Sequence, residues 1–184
     1  MLSLSEYCNI FDCQTSTVSG SDLLRKIGEP APPGGLKLKL FRAPLYFYRF
    51  KLGFLLGERF IHLRHWGRKS GKLKETVLEV IDQDKANKKV FSGSGFGEKS
   101  QWFKNISANN SVFVTLRNRQ YEATARVLSA DEAKDVLLRY VKTHPKSIHG
   151  VARLSGYDID GSEQDILEFS QIIKVVEFTL GGRA

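Results

Sequence analysis

Residues Gly67–Leu78 read "GRKSGKLKETVL" and place Arg68, Lys69, Lys72 and Lys74 within eight positions, with Ser70 and Gly71 among them. A glycine-bounded turn of this kind can aim backbone N–H groups, a hydroxyl and several cations at one phosphate or carboxylate group. It is not a Walker A loop, because three residues separate Gly67 from Gly71 and Leu73 follows Lys72. The same residues also fit a solvated basic hairpin turn, and the motif alone leaves both readings open. A second stretch, "FSGSGFGEKSQWFKN", alternates glycine with serine or phenylalanine at Ser94, Gly95 and Gly97 ahead of a predicted helix. Glycine lets a backbone approach a ligand closely, and a helix start favours anions. No βαβ unit surrounds these glycines, so they are not a dinucleotide fingerprint. Trp102 either covers an aromatic ring or anchors the helix.

Other chemistries find little support. His62 and His65 lie three apart on a predicted strand and so face opposite ways. His144 and His149 flank a predicted break, and neither an HExxH motif nor a cysteine pair of zinc-site spacing occurs, so no metal site is expected. Gly93-Ser94-Gly95 is too short for a nucleophile elbow. Tyr157 and Ser94 remain as weak candidates for a catalytic hydroxyl.

The elements that must position these residues follow from charge and periodicity. The chain has 184 residues and a net charge of +8. Residues 36–75 hold eleven basic and two acidic side chains, so this segment is +9 and the remainder −1. A field focused in this way attracts nucleic acid, an anionic membrane or a phosphorylated or polycarboxylate ligand. No nucleic-acid motif accompanies it, which disfavours the first. Cys8 and Cys13 both lie near the N-terminus, and the body of the chain has no disulfide framework, which points to a reducing compartment. No secretory signal or bilayer-spanning stretch is read, so the expected location is cytoplasmic.

Residues 1–35 read as a flexible tail closed by "GEPAPPGG", with one domain over 36–184. Next comes "LKLKLFRAPLYFYRFKLGFLLGERF", aromatic and basic at once, where Tyr46, Phe50 and Phe54 make an apolar face. It reads as a helix capping a barrel or as a surface that meets the inner face of a membrane. Six strands are then predicted: "RFIHLRHWG", "ETVLEVID", "KKVFSGSG", "SVFVTLRN", "RQYEATARVLS" and "IKVVEFTL", the fourth and fifth forming a hairpin at Asn118-Arg119. One helix starts at Ser100. A second opens with the capping box Ser129–Glu132 and stops at Pro145. The fold class is α+β, mainly β: a six-stranded antiparallel split β-barrel with flanking helices.

Taken together and in this order, "GRKSGKLKETVL" and "VFSGSGFGEKSQWFKNISANNSVFV" resemble the deazaflavin-dependent nitroreductase family, split-barrel relatives of the flavin barrels. The resemblance spans about Phe41 to Tyr157. It implies coenzyme F420, a deazaflavin with a phosphate and an oligoglutamate tail. It places Arg68, Lys69, Ser70 and Gly71, with Lys72 and Lys74 as neighbours, near the phosphate and tail, and Ser94, Gly95, Gly97 and Trp102 beside the cofactor. The implied activity is hydride transfer from reduced F420 to a quinone or another conjugated hydrophobic acceptor. The nitroimidazole-activating members carry tyrosines after the long helix. Here that segment reads "HPKSIHGVARLSGYD" with only Tyr157, so no substrate residue is carried over. Lysine stands at position 74 where arginine is common. Alternatives are an FMN-binding barrel and a non-enzymatic F420 or lipid binder, and the chain is read as monomer or homodimer.

Overall fold

The computed structural model describes residues 24–29 and 43–183. The main sheet has seven strands, one more than the sequence predicts: β2 (Phe60–Trp66), β3 (Leu73–Glu79), β4 (Asp82–Asp84), β5 (Lys89–Ser94), β6 (Ser111–Leu116), β7 (Arg119–Val127) and β9 (Lys174–Arg183). Their order is β3-β2-β6-β7-β9-β5-β4, with antiparallel pairing throughout. The extra strand arises where one predicted strand changes partner. Val80 donates its N–H to the Arg59 carbonyl at 2.8 Å, on the β2 side, and Ile81 donates to the Phe91 carbonyl at 2.9 Å, on the β5 side. One extended run therefore pairs first with β2 and then with β5. The sheet curls into a barrel split between β3 and β5.

The β6–β7 hairpin turns on Arg117-Asn118, one residue earlier than expected, because Leu116 pairs with Arg119. Arg117 adopts φ +56° there. Alternation along the strands separates two cores. Ile61, Leu63, Val112, Val114, Ala123, Ala125, Val176 and Phe178 fill the barrel interior. Helix α2 (Gln101–Ala108) adds Phe103 and Ile106 to that core. The opposite face of β5 and β9, with Phe91 and Val175, packs against a helical layer. That layer comprises α3 (Ala130–Thr143), α4 (Pro145–Leu154) and α5 (Glu163–Ile172).

The capping box forms as the sequence predicts: Ser129 Oγ accepts from the Glu132 N–H at 3.3 Å, and Glu132 Oε2 accepts from the Ser129 N–H at 2.9 Å. Pro145 occupies the first turn of α4, where its missing N–H costs nothing. Helix α1 (Ala43–Arg49) begins beside Pro44, followed by a 3-10 turn at Gly53–Leu56. Tyr46, Phe50 and Phe54 of the expected apolar face are exposed, and Tyr48 is the buried anchor. Strand β1 (Arg25–Lys26) pairs with β8 (Tyr157–Asp158), and Leu24 is buried in the helix-side core. Residues 1–23 and 30–35 of the 1–35 segment lie outside the described residues.

Leu63 is fully buried in the barrel interior. Leu63→Ala is expected to lower unfolding free energy by about 2–5 kcal/mol, and Ser129→Ala by about 1 kcal/mol. Urea denaturation of both variants beside the parent checks the ranking.

Candidate cofactor cleft

Where the barrel splits, a cleft of about 1280 Å³ opens along β3. As the terminal strand of the sheet, β3 lets the cleft reach both of its faces. One end lies at the barrel mouth, among His65, Lys74, Gly93, Gly95, Trp102 and Asn105. The other end is more apolar and is bounded by Leu45, Tyr46, Phe60, Ile81 and Val151, and Leu154 lies between the two, against Gly95. Lys74 and Glu79 mark opposite ends of β3, so the cleft runs for roughly 17 Å between them.

The basic turn Gly67–Lys72 bridges β2 and β3 at the mouth. Gly67 donates to the Lys72 carbonyl at 2.9 Å, and Gly71 sits at φ +63°, a conformation glycine adopts without strain. Ser70 Oγ accepts from the Lys72 N–H at 3.3 Å and so braces the turn. Arg68 is held against α2: its backbone N–H donates to Asn105 Oδ1 at 3.1 Å, and Nη1 reaches Asn105 Oδ1 at 3.0 Å and Gln101 Oε1 at 3.2 Å. Lys69, Lys72 and Lys74 are exposed. None of the three pairs with a carboxylate among the described residues.

Of the glycine loop, Gly95 borders the cleft, and a Cβ there would lie 3.1 Å from Leu154 Cβ, so only glycine leaves the wall undisturbed. Ser94 is buried. Its hydroxyl donates to the Gly97 carbonyl at 2.8 Å, so at 2.8 Å from Ser100 Oγ it acts as the acceptor. That hydroxyl has a structural task, fixing the loop before α2. Ser94, Gly97 and Tyr157 line a neighbouring hollow of about 230 Å³, which shares Gly95 and Phe96 with the cleft. The structure thus groups Lys74, Gly95 and Trp102 on the cleft and sets Ser94, Gly97 and Tyr157 beside it.

Two polar clusters at the cleft escaped the sequence reading. In the first, buried His65 places Nδ1 at 3.1 Å from Asn105 Nδ2. Burial pushes His65 down to about 4, and the charge of Lys74 acts in the same direction. In the second, α1 docks on β2 and β3. Tyr48 stacks on His62 at 5.3 Å and donates its hydroxyl to the Phe60 carbonyl at 2.7 Å. Glu75 accepts from Arg49 and lies 3.1 Å from His62 Nε2. Burial raises Glu75, but the bonds from Arg49 and His62 outweigh it and leave the carboxyl below its ordinary value. Asn105 lies one helical turn after Trp102, the only signal that pointed toward the first cluster. His62 and His65 take opposite faces of β2, and no group of three metal-capable side chains occurs among the described residues.

The model of the F420H(2)-dependent quinone reductase family matches residues 45–151, more than half of the chain, and the chain belongs to that family. It is therefore an oxidoreductase that uses coenzyme F420 and passes a hydride to a quinone-class acceptor. A solved F420-H2 dependent reductase, FDR-A, is 20% identical over 66% of this chain and 95% of its own, with a TM-score of 0.46. A protein of unknown function from Agrobacterium tumefaciens is 14% identical over 85% of this chain and 60% of its own, with a TM-score of 0.51. HutZ, a heme storage protein from Vibrio cholerae, is 10% identical over 75% of this chain and 89% of its own, with a TM-score of 0.49. No curated protein matches the chain.

His65 prefers to stay neutral in the fold, so its contribution is complete above its unfolded value of 6.5 and is lost as pH falls through about 4. Burial lowers His62 as well, in the same direction. Urea midpoints are expected to drop between pH 7 and pH 4. His65→Gln, which does not titrate, should remove part of that drop.

Proposed function

We propose that the cleft holds F420 with its ring at the barrel mouth beside Gly95 and Trp102 and its anionic tail across Lys69, Lys72 and Lys74. The observation that carries this reading is a set of three exposed lysines, unpaired among the described residues, of which Lys74 lines a cleft large enough for a cofactor. Bound there, reduced F420 supplies the hydride. Trp102 and the β3 and β5 backbones set the plane of the ring, and Arg68 fixes the turn against α2 rather than gripping the tail directly. The apolar stretch of the cleft, under Leu45, Tyr46 and Val151 and reaching Leu154 against Gly95, takes the quinone next to the ring and excludes water from it.

Ser94 does not deliver the proton that accompanies the hydride, because its own proton is committed to Gly97. Glu79 lines the apolar end, where it pairs with Arg59 at 3.3 Å and accepts from the Tyr140 hydroxyl at 3.2 Å. Beside this end, Phe50, Phe54 and Leu55 are exposed next to Arg49, Lys51 and Arg59. Apolar rings flanked by cations fit the surface of an anionic bilayer, where hydrophobic quinones partition. No helix among the described residues is long and apolar enough to cross a membrane.

Titration followed by F420 fluorescence tests the cofactor placement. Replacing Lys69, Lys72 and Lys74 together by alanine is expected to weaken F420 by about tenfold at low salt and to flatten its salt dependence, while FMN, with its single phosphate, responds less. Unchanged F420 affinity would remove the tail from this turn. Phe50→Ser with Phe54→Ser should reduce co-sedimentation with phosphatidylserine vesicles and leave reduction of a water-soluble quinone intact.

A further inference from the structure

Arg64 is the one arginine among the described residues that is not exposed. None of the ion pairs or side-chain hydrogen bonds among those residues involves it, and its Nε is sealed from solvent without an acceptor. Ile61 and Leu63 fill the barrel, so alternation puts Arg64 on the outer face of β2, between Phe113 of β6 and Glu75 of β3. Glu75, the acid directly opposite, is already taken: it accepts from Arg49 Nε at 3.0 Å and lies 3.1 Å from His62 Nε2. The Phe113 ring centroid lies 5.1 Å from the guanidinium carbon. It attracts the charge but replaces none of the oxygen acceptors that a guanidinium fork fits. A half-buried cation without a counter-ion is a cost to the fold. Arg64 lines the cleft, where a ligand can bring that counter-ion. The face of β3 that carries Glu75 adds Leu73 and Val77 to the same cleft, and α1 adds Leu45 and Tyr46.

We propose that this outer lobe of the cleft binds a single-chain amphiphile with a terminal carboxylate, a ligand of the fatty-acid type. Its oxygens meet Arg64, and its chain lies on Leu73, Val77 and the α1 side chains. One guanidinium fork matches one carboxylate in both shape and charge. Arg49 and Glu75 satisfy each other, so the lobe offers a single free charge and asks for a monoanion. The remaining flanks are mainly apolar, which fits a hydrocarbon chain better than a sugar or a nucleotide. The site goes beyond the F420 reading and uses neither the basic turn nor Gly95 and Trp102.

Thermal melts and calorimetric titrations of the full chain with laurate, kept below its micelle concentration, test this. Laurate is expected to bind once per chain and to raise Tm. Dodecanol, the same chain without the charge, should bind about tenfold more weakly. Arg64→Met keeps an aliphatic stem beside Phe113 and removes the cation. Without ligand it should melt at or above the wild-type temperature, because an uncompensated charge is gone, and it should lose about tenfold in laurate affinity. Arg119→Met, which removes an exposed cation at the start of β7, should bind laurate as wild type does. Equal laurate affinity in wild type and Arg64→Met, or an equal loss in Arg119→Met, would reduce the effect to general attraction by a basic protein and overturn the inference. A lower Tm for Arg64→Met would make the arginine a structural partner of Phe113 and overturn it too. Arg64-dependent binding to phosphatidylserine vesicles without binding of free laurate would assign the cation to a bilayer headgroup, again against the inference. None of these titrations contains F420, so the triple-lysine test of the cofactor placement stands or falls separately.

Discussion

Everything at the site depends on a sheet that does not close. Seven strands curl far enough to bring β3 opposite β5, yet the chain changes partner at Val80-Ile81 and spends its ladder bonds on β2 and then on the lower half of β5. The upper half of β5, Ser92–Ser94, is left facing β3 across a gap. In a closed barrel that gap would be backbone hydrogen bonds. Here it is a slot with peptide edges on two sides and helices over its ends, which suits a flat ring system.

Around this slot the chain sorts its polar groups by burial. Cations with long stems remain at the surface, where charge is cheap to hydrate and attracts the cofactor from a distance. Within the walls, His65 is held neutral by desolvation and Glu75 is paired with Arg49 and His62, while the Arg64 guanidinium lies 5.1 Å from the Phe113 ring centroid. Glu177, buried on β9, is satisfied by Lys89 at 3.2 Å and Arg126 at 3.1 Å. Arg126 also reaches Glu132, the residue that completes the cap of α3. One guanidinium thus links the barrel wall to the helical layer, alongside the Arg139–Asp82 pair at 2.7 Å.

The sequence carried most of the fold because alternation and capping are local. Val112 and Val114 could be assigned to the interior, and Ser129 to a cap, from a few neighbours each. It miscounted strands at Val80-Ile81 because alternation says which face a residue takes and nothing about its partner. It placed Tyr46, Phe50 and Phe54 on one apolar face, but whether that face meets protein or solvent depends on distant elements. The candidate site was legible where it is a contiguous motif, as in the basic turn. It was illegible where it depends on residues 37 or more positions apart, as with Arg68, Asn105 and His65. Ser94 shows the converse: a serine between glycines suggests chemistry, and only the position of Gly97 and Ser100 reveals that its hydroxyl is already engaged.

The attachment of α1 has a consequence of another kind. That helix is held to the sheet chiefly through Tyr48 and Arg49, by way of His62, Glu75 and the Phe60 carbonyl. The basic turn and α2 are held by a separate set centred on Asn105. The two ends of the slot are therefore structurally modular. Divergence in α1 can reshape the end assigned to the acceptor, residue by residue, without disturbing the end assigned to the cofactor. A single barrel could in this way give rise to a lineage of reductases that share one hydride source and differ in what they reduce.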